Sequence, residues 1–324
     1  MYDAHGRSIN YMRISITDRC NLRCKYCMPE DIPSIPHGEI LSFEEILHIC
    51  TLAVKLGIRR FKITGGEPLT RKNCLDFLQH LKELSGVEQV TLTTNGVLLK
   101  DAVPRLRDMG INGVNISLDT LKKETFHALT GRPYFSQVIE GILACQASGI
   151  RTKINSVMLK GTNEEEFFDL IALAKEYPVD VRFIEIMPIG YGQQFQGYSK
   201  KELLTLLESR YPNFVSVSKS RGNGPANYIY LPGFQGCIGF IDAIHGKFCN
   251  SCNRIRLTAD GVLKLCLYYE SGISLKQLLR SNASDDTILQ ALKDAVLKKP
   301  IEHQFHLKAL EGTPEIRQMS QIGG

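Results

Sequence analysis

The sequence contains no run of eighteen or more apolar residues, and its polar N-terminus lacks the apolar stretch of a signal peptide. We therefore expect a cytoplasmic protein with no membrane partner. Its basic residues are scattered, its net charge is only +5, and aromatic clusters interleaved with basic residues are missing. These absences argue against a nucleic-acid partner, although the mild positive charge suits an anionic small molecule.

Ten cysteines occur in a 324-residue chain that is 43% hydrophobic. A chain of this size can bury a full core, and in a reducing compartment its cysteines are expected to be metal ligands and buried thiols rather than disulfides. Cys50, Cys74 and Cys145 fall on helical patterns and are predicted to be core thiols.

A first cysteine set follows a short apolar segment at the spacing C-x3-C-x2-C and consists of Cys20, Cys24 and Cys27. No fourth cysteine lies nearby. An iron-sulfur cube held by three thiolates leaves one iron open to another molecule, whereas structural zinc usually completes four protein ligands. The set therefore favours an open [4Fe-4S] cluster over zinc.

A second cysteine set lies far downstream and consists of Cys249, Cys252 and Cys266. It again has three thiols and no evident local fourth ligand, which suggests a second open cluster. Two alternatives remain open here, because Cys237 could supply a fourth ligand and the spacing also fits a zinc-ribbon hairpin.

Short β-rich runs alternate with helical patterns in the first part of the chain, which is typical of parallel βα units. The predicted strands cover residues 12–16, 60–64, 89–93, 113–118, 152–158 and 181–187. Ser42 and Glu45 form a capping-box pattern before a predicted helix. Six units are fewer than the eight of a closed TIM barrel, so we predict an α/β fold with a partial (βα)6 TIM-like barrel and ligands at the carboxyl ends of its strands.

The pattern changes after about residue 190 to short strands and Gly/Pro turns. We expect a barrel over residues 1–190 and an α+β extension over residues 191–324 that carries the second cysteine set. Residues 254–258 and 262–267 flank Asp260-Gly261, a strong hairpin signal that would bring Cys252 and Cys266 together.

The first cysteine set, with the aromatic Tyr26 before its last cysteine, resembles the radical S-adenosylmethionine (SAM) superfamily. Further motifs resemble the GTP 3′,8-cyclase family of molybdenum-cofactor biosynthesis, and the likeness runs nearly end to end. These motifs are Gly6-Arg7, Met12-Arg13-Ile14-Ser15, Thr64-Gly65-Gly66-Glu67-Pro68-Leu69, Asn253-Arg254-Ile255-Arg256-Leu257-Thr258 and Ile322-Gly323-Gly324.

The resemblance implies a lyase with two [4Fe-4S] clusters and SAM, which converts GTP to 3′,8-cyclo-7,8-dihydroguanosine 5′-triphosphate. In that reaction a radical from SAM takes hydrogen from C3′ of the ribose, and the carbon radical attacks C8 of guanine. The open iron of the first cluster would bind SAM, and that of the second would bind the guanine.

The resemblance also assigns site residues. The SAM contacts would be Tyr26, Gly66, Ser117 and Met187, with Glu67 approaching the methionine amino group. The GTP contacts would be Arg13, Lys62, Thr93, Lys153, Arg254 and Arg256. Lys62 stands where arginine is common, which keeps the charge but loses the bidentate fork. The first cysteine set, both C-terminal arginines and the Gly323-Gly324 tail would form the catalytic group, with the tail threaded into the cavity.

The implied partners are an electron donor, a following cyclic pyranopterin monophosphate synthase and a second copy of the chain in a homodimer. Two rival functions remain at this point. One is a radical SAM enzyme with a fully ligated auxiliary cluster that modifies a peptide or an RNA base. The other is a zinc-binding interaction module.

Overall fold

The structure is a computed structural model that describes residues 1–28, 30, 32–218, 221–305 and 315–323. The strands are β1 (Tyr11–Ser15), β2 (Arg60–Thr64), β3 (Gln89–Thr94), β4 (Val114–Ser117), β5 (Thr152–Ser156), β6 (Asp180–Ile184), β7 (Val215–Val217), β8 (Asn227–Tyr230), β9 (Ile238–Ile241), β10 (Arg254–Leu257), β11 (Val262–Lys264) and β12 (Gly272–Ser274).

The helices are α1 (Phe43–Lys55), α2 (Cys74–Glu83), α3 (Leu99–Asp108), α4 (Lys123–Thr130), α5 (Phe135–Ala147), α6 (Phe167–Glu176), α7 (Lys200–Arg210), α8 (Leu275–Arg280), α9 (Asp285–Leu297) and α10 (Met319–Ile322). The capping box at the start of α1 is confirmed, because Ser42 Oγ accepts from the Glu45 amide at 3.1 Å and the Ser42 amide donates to Glu45 Oε2 at 2.7 Å. Within the described ranges, every helix is too short or too polar to cross a membrane.

All twelve strands belong to one open sheet, in the order β12-β11-β10-β1-β2-β3-β4-β5-β6-β9-β8-β7. The eight central strands from β10 to β9 run parallel, and the pairs at both edges are antiparallel. Strands β1 to β6 match the six predicted strands to within two residues at most ends. The predicted α/β fold with a partial barrel is therefore confirmed.

Alternation along the parallel strands separates an apolar face from a polar one. On β1, Met12 and Ile14 are fully buried in the main core, which includes residues of the surrounding helices. Arg13 therefore points to the opposite side, opposite Lys62 of β2 and Arg256 of β10 in the strand register. We call the space on this polar side the chamber.

The C-terminal part of the chain adds strands on both sides of the six barrel strands. Strand β9 pairs in parallel with β6, and β10 pairs in parallel with β1, with Tyr11 opposite Arg254. Strands β10 and β11 form the predicted hairpin around Asp260-Gly261, with Arg256 opposite Lys264. The division of the chain near residue 190 stays a prediction.

Candidate active site

The first cysteine set lies in the loop that follows β1, at the carboxyl end of the parallel strands. Burial raises the pKa of Cys24 well above its ordinary value, and the nearby charges of Cys27, Asp119 and Cys20 raise it further. Burial and Cys20 likewise raise the pKa of Cys27 to about 12. Because the charge of one thiol shifts the pKa of another, the three thiols lie close together.

The spacing of the sulfur atoms fits a cluster better than a single zinc ion. A tetrahedral zinc site with Zn–S bonds near 2.3 Å holds its sulfurs about 3.8 Å apart. Among the residues that the structure describes, neither cysteine set has all three sulfurs within 4.8 Å of one another. An iron-sulfur cube binds each cysteine through a different iron and so suits this wider arrangement.

Gly65 and Gly66 allow the loop after β2 to pack directly against the first cysteine loop. A Cβ atom on Gly66 would lie 2.3 Å from the carbonyl oxygen of Arg19, and one on Gly65 would lie 2.5 Å from that of Thr17. The amides of Gly66 and Glu67 donate to these same two carbonyl oxygens at 2.7 Å. Gly66 therefore holds the cysteine loop in place.

The carboxylate of Glu67 is turned into the protein. It is fully buried and accepts hydrogen bonds from the Leu69 amide at 3.0 Å, the Thr94 hydroxyl at 2.8 Å and the Asn95 amide at 2.6 Å. Asn95 in turn donates to Cys20 Sγ at 3.6 Å. The expected approach of Glu67 to a methionine amino group does not match this geometry, and the residue instead supports the cysteine loop.

The predicted SAM contacts lie at the carboxyl ends of different strands. Tyr26 donates a hydrogen bond from its hydroxyl to Asp119 Oδ2 at 2.6 Å. Burial raises the pKa of Asp119 to about 6. Ser117, the last residue of β4, is exposed, and Met187, three residues beyond β6, is half-buried. No local pattern predicts the Tyr26–Asp119 pair, because 93 residues separate the two side chains in the chain.

The second cysteine set lies beside β10, near the opposite end of the strand pair from the first set. Cys252 precedes Arg254, which pairs with Tyr11 at the start of β1, whereas Cys20 follows the end of β1. Charge interactions with Cys252 and Cys266 contribute to the raised pKa of Cys249, after burial as the main cause. The three thiols are therefore neighbours, as the hairpin predicts.

Positive charge surrounds this second set. Burial raises the pKa of Cys252, but Lys299, Arg254 and Arg7 outweigh it together with the Arg254 amide, so that the pKa is lowered. Arg7 also donates to the carbonyl oxygen of Cys249 at 2.9 Å. A lowered pKa favours the thiolate, which is the form that binds iron.

Cys237 lies apart from the second cysteine set. Its amide donates to Asp180 Oδ1 at 3.2 Å, and after burial the charges that shift its pKa are those of Arg221, Asp180 and Lys153. The charges that shift the pKa values of Cys249 and Cys252 come from other residues. The structure therefore gives no support to Cys237 as a fourth ligand.

Six buried or half-buried cations face the chamber, and we call them the cationic cluster: Arg13, Lys62, Lys153, Arg182, Arg254 and Arg256. Burial lowers the pKa of Arg13 to about 10 and that of Arg256 to about 9, and neighbouring arginines add to both shifts. Burial and four members of the cluster lower the pKa of Lys62 well below its usual value. The cluster is thus a dense group of buried or half-buried positive charges that repel one another.

One end of the cationic cluster opens into a cavity of about 80 Å³. Lys62, Lys153 and Arg182 line this cavity together with Asn115 and Tyr228. Asp180 forms ion pairs with Lys153 at 3.4 Å and with Arg221 at 2.7 Å. A polar, positively charged cavity of this kind suits an anionic group of a ligand.

Arg182 is a site residue that the sequence interpretation missed. It donates to Asn155 Oδ1 from Nε at 2.9 Å and to Asn115 Oδ1 at 2.8 Å, while Asn115 donates to Thr93 Oγ1 at 3.4 Å. Thr93 thereby joins the same polar network. The signal was present, because Arg182 is the only charged residue between Val181 and Ile184 in a predicted buried strand.

Glu185 was also missed. It is buried just after β6, accepts from the amides of Ile244 and His245 at 2.7 and 3.3 Å, and contacts the imidazole of His245. These contacts hold the turn that leads from β9 to Cys249. Asp242 lies close enough to add its carboxylate to this group.

The described end of the tail enters the chamber, and we use the word tail for residues 315–323. Arg256 Nη1 donates to the carbonyl oxygen of Gly323 at 2.8 Å, and the backbone of Ser320 lies close enough to the Cys27 thiol to affect its pKa. Gly323 therefore lies beside the cationic cluster, while its catalytic role stays a prediction. Gly324 lies outside the described residues.

Comparisons with known proteins agree along the whole chain. Residues 14–174 match the model of the radical SAM superfamily, and residues 179–305 match that of Molybdenum Cofactor Synthesis C. The chain is 41% identical over 325 residues to a protein named GTP 3′,8-cyclase from Clostridium perfringens (strain 13 / Type A), and 43% identical over 329 residues to one of the same name from Desulforamulus reducens; 100% of each chain is covered.

A mouse protein named Molybdenum cofactor biosynthesis protein 1 is 41% identical over 320 residues, which cover 97% of this chain and 50% of that protein. Among solved structures, Streptococcus suis SuiB bound to S-adenosylmethionine superposes with a TM-score of 0.67 at 15% identity, covering 97% of this chain and 77% of that chain. At this identity the likeness to SuiB shows the fold alone.

Proposed function

The chain belongs to the GTP 3′,8-cyclase family of radical SAM enzymes, and we propose from this membership and the geometry above how its residues act on GTP. The enzyme converts GTP to 3′,8-cyclo-7,8-dihydroguanosine 5′-triphosphate in the first step of molybdenum-cofactor biosynthesis. The cationic cluster carries the residue assignment, because several buried cations that lie close enough to lower one another's pKa values suit a polyanionic ligand.

The two cysteine sets fit the two [4Fe-4S] clusters of the family. Cys20, Cys24 and Cys27 would hold the first, and Cys249, Cys252 and Cys266 would hold the second, each leaving one iron without a protein ligand. When bound, the clusters and SAM supply the one-electron chemistry and the hydrogen-abstracting radical. The separation of Cys237 disfavours the rival with a fully ligated auxiliary cluster.

The SAM end of the chamber is assigned to residues beside the first cysteine set. Tyr26 is fixed by its bond to Asp119, so its ring has one orientation in which to contact the adenosyl group. Ser117 and Met187 complete the contact from two other strand ends. Gly66 shapes this end by bringing the backbone close, since any side chain there would collide with the cysteine loop.

The cationic cluster is assigned to the triphosphate. A phosphate chain would relieve the repulsion between these cations, and arginine forks can bind phosphate oxygens through two parallel bonds. Arg254 Nε is buried and lacks a hydrogen-bond partner among the described residues. It can therefore donate a hydrogen bond to a phosphate oxygen. Thr93 would contact GTP from the same polar network.

Binding at both ends fixes the nucleotide between them. Cyclisation requires C3′ and C8 of one molecule to approach closely, and correct orientation of two reacting groups contributes at best about 7–11 kcal/mol. The cationic cluster would hold the triphosphate, while the second cysteine set lies at the guanine end by family likeness. Arg256 serves both GTP and the tail, because it already donates to Gly323.

Several broader features belong to the same proposal. The enzyme would work in the cytoplasm as a homodimer, take electrons from a separate donor protein and pass its product to a cyclic pyranopterin monophosphate synthase. Residues 1–190 would form the SAM-binding barrel, and residues 191–324 the extension with the second cluster and the Gly323-Gly324 tail. Sedimentation of the anaerobic holoprotein tests the dimer directly.

The decisive experiment uses GTP deuterated at C3′, SAM and a reductant without oxygen. The product has the mass of GTP, because the hydrogen atom lost from C3′ is replaced by one electron and one proton. The proposal predicts a new nucleotide with altered chromatographic retention, and deuterium in 5′-deoxyadenosine. Cleavage of SAM without transfer of deuterium from GTP would contradict the proposal. It would favour the rival function, in which the enzyme modifies a peptide or an RNA base.

A further inference from the structure

A buried ion pair joins the tail to the β10–β11 hairpin. Lys264 at the end of β11 contacts the carboxylate of Glu315, and both side chains have 0% of their surface exposed. Of the ion pairs among the described residues, this is the one in which both side chains are fully buried. Lys264 also donates to the carbonyl oxygen of Tyr269.

Further contacts fix the tail at the same place. The amide of Glu315 donates to the carbonyl oxygen of Tyr268 at 2.7 Å. Arg317 donates from its amide and from Nε to Glu315 Oε1, both at 3.0 Å, and its guanidinium lies 3.7 Å from the carboxylate of Asp260 in the hairpin turn. The start of the described tail is therefore attached by both backbone and side chains.

The hairpin to which the tail is attached carries the residues of the site. Strand β10 presents Arg254 and Arg256 to the chamber, and Cys266 follows Lys264 by two residues. An anchor at Lys264 is thus fixed relative to the cationic cluster and to the second cysteine set.

The far end of the tail makes contacts that depend on its register. Gln318 Oε1 accepts a hydrogen bond from the Tyr191 amide at 3.1 Å, and the carbonyl oxygen of Gly323 accepts one from Arg256. Ile322 is buried in a small cluster with Ile189 and Leu267. Residues 319–322 form α10, in which a slip of one residue moves the chain by about 1.5 Å along the helix axis and turns it by about 100°. Such a shift is enough to break both hydrogen bonds.

A buried ion pair is a poor source of stability, because the cost of removing two charges from water offsets their attraction. Apolar residues of similar volume at such sites are often as stable or more so, whereas a charged pair can specify one arrangement. We propose that Lys264 and Glu315, supported by Arg317, are positioning residues that set the register of the tail in the chamber. This inference rests on the proposed function for its effect on turnover.

The test compares Lys264→Met/Glu315→Met with Lys100→Met/Glu140→Met. The second double variant makes the same changes at an ion pair whose side chains are 60% and 51% exposed. Neither leaves a buried unpaired charge. We expect Lys264→Met/Glu315→Met to keep the iron content and unfolding midpoint, to lose slow hydrogen exchange at the Gln321 and Gly323 amides, and to form product at least tenfold more slowly. The control should match the wild type.

Slow tail exchange and normal turnover in Lys264→Met/Glu315→Met would overturn the inference. If that variant does not fold, Lys264→Met/Glu315→Gln supplies the same readouts, since it keeps the acceptor for Arg317 while removing both buried charges. Failure of the proposed function is distinguishable, because the wild type would then form no product from GTP. The exchange rates of the tail amides would still decide whether the ion pair sets its register.

Discussion

Arg256 and Gly323 are joined by a hydrogen bond of 2.8 Å from the guanidinium to the backbone carbonyl oxygen. Gly323 adopts a φ of +77°, and a Cβ atom there would lie 3.0 Å from the Cβ of Ser15 at the end of β1. The residue thus fits between the first strand and an arginine of the cationic cluster only because it has no side chain.

Gly323→Ala should therefore displace the tail and slow product formation by about tenfold, comparable to losing a charge-assisted hydrogen bond of about 1.5 kcal/mol. Gly149→Ala is the matched control, since Gly149 has a φ of +72° with nothing within 4 Å of its would-be Cβ. The control should cost roughly 1–2 kcal/mol of stability and leave turnover normal. Equal turnover in the two variants would mean that the tail contact has no role.

Replacing a ligand in each cysteine set should separate the two halves of the reaction. Cys24→Ser should abolish production of 5′-deoxyadenosine, because the first cluster would lose a ligand. Cys252→Ser should leave some cleavage of SAM but remove the cyclised nucleotide. Cys145→Ser, at a fully buried cysteine in α5, is the control. Chromatography of both products checks this, and normal nucleotide from Cys252→Ser would reject the second assignment.

Cys237→Ser should retain the full iron content and the wild-type rate. The reason is that this thiol lies beside Asp180 and Arg221 rather than beside the second cysteine set. Iron and sulfide analysis of the anaerobic protein provides the measurement. Loss of about half of the iron would instead identify Cys237 as a cluster ligand.

Arg254→Ala should weaken GTP binding by about 1.5–3 kcal/mol, the usual value of a hydrogen bond to a charged group. This corresponds to roughly a 10- to 150-fold rise in Kd. Arg280→Ala is the control, since Arg280 is 40% exposed and pairs with Glu45 on the surface. The Kd for GTP of each variant is measured at equilibrium without SAM. Equal Kd values for the two variants would show that Arg254 does not bind GTP.

Lys153 should make both stability and GTP binding depend on pH. Burial, with Arg182 as the next cause, lowers its pKa from 10.5 to about 7. The folded protein then binds fewer protons than the unfolded chain between these values, so the contribution of Lys153 to stability rises with pH across that range. A triphosphate favours the charged lysine, so above pH 7 binding should take up a proton.

Calorimetry of GTP binding in buffers of different ionisation enthalpy measures this uptake. Lys153→Met should take up fewer protons than the wild type when it binds GTP. Its affinity for GTP should also fall less than that of the wild type between pH 7 and pH 9. The comparison with the variant is needed because the terminal phosphate of GTP titrates in the same region. Identical proton uptake by both proteins would show that Lys153 keeps its charge throughout.

Local patterns predicted the barrel strands, the capped helix α1 and the β10–β11 hairpin. Each of these depends on neighbouring residues: strand alternation, the Ser42–Glu45 pair and the Asp260-Gly261 turn. The parallel pairing of β10 with β1 and of β9 with β6 was not predictable in this way, because it joins strands that are distant in the chain.

The site was predictable where single residues carry the chemistry, as in the cysteine sets. It was less so where a role depends on tertiary neighbours. Glu67 belongs to a recognisable motif, yet only the fold shows its carboxylate turned towards Thr94 and Asn95. The contact between Lys264 and Glu315 spans 51 residues and has no local pattern.

The parallel pairing of β1 with β10 also bears on how the enzyme is made. The ribosome must reach Leu257 before Ile14 can pair with β10. The nascent chain therefore carries the first cysteine set long before β10 has been made. Until then β1 has an open backbone edge, which invites incorrect pairing with other chains. If iron and sulfide are delivered after translation rather than during it, both cysteine sets are already in the folded chain when the clusters form.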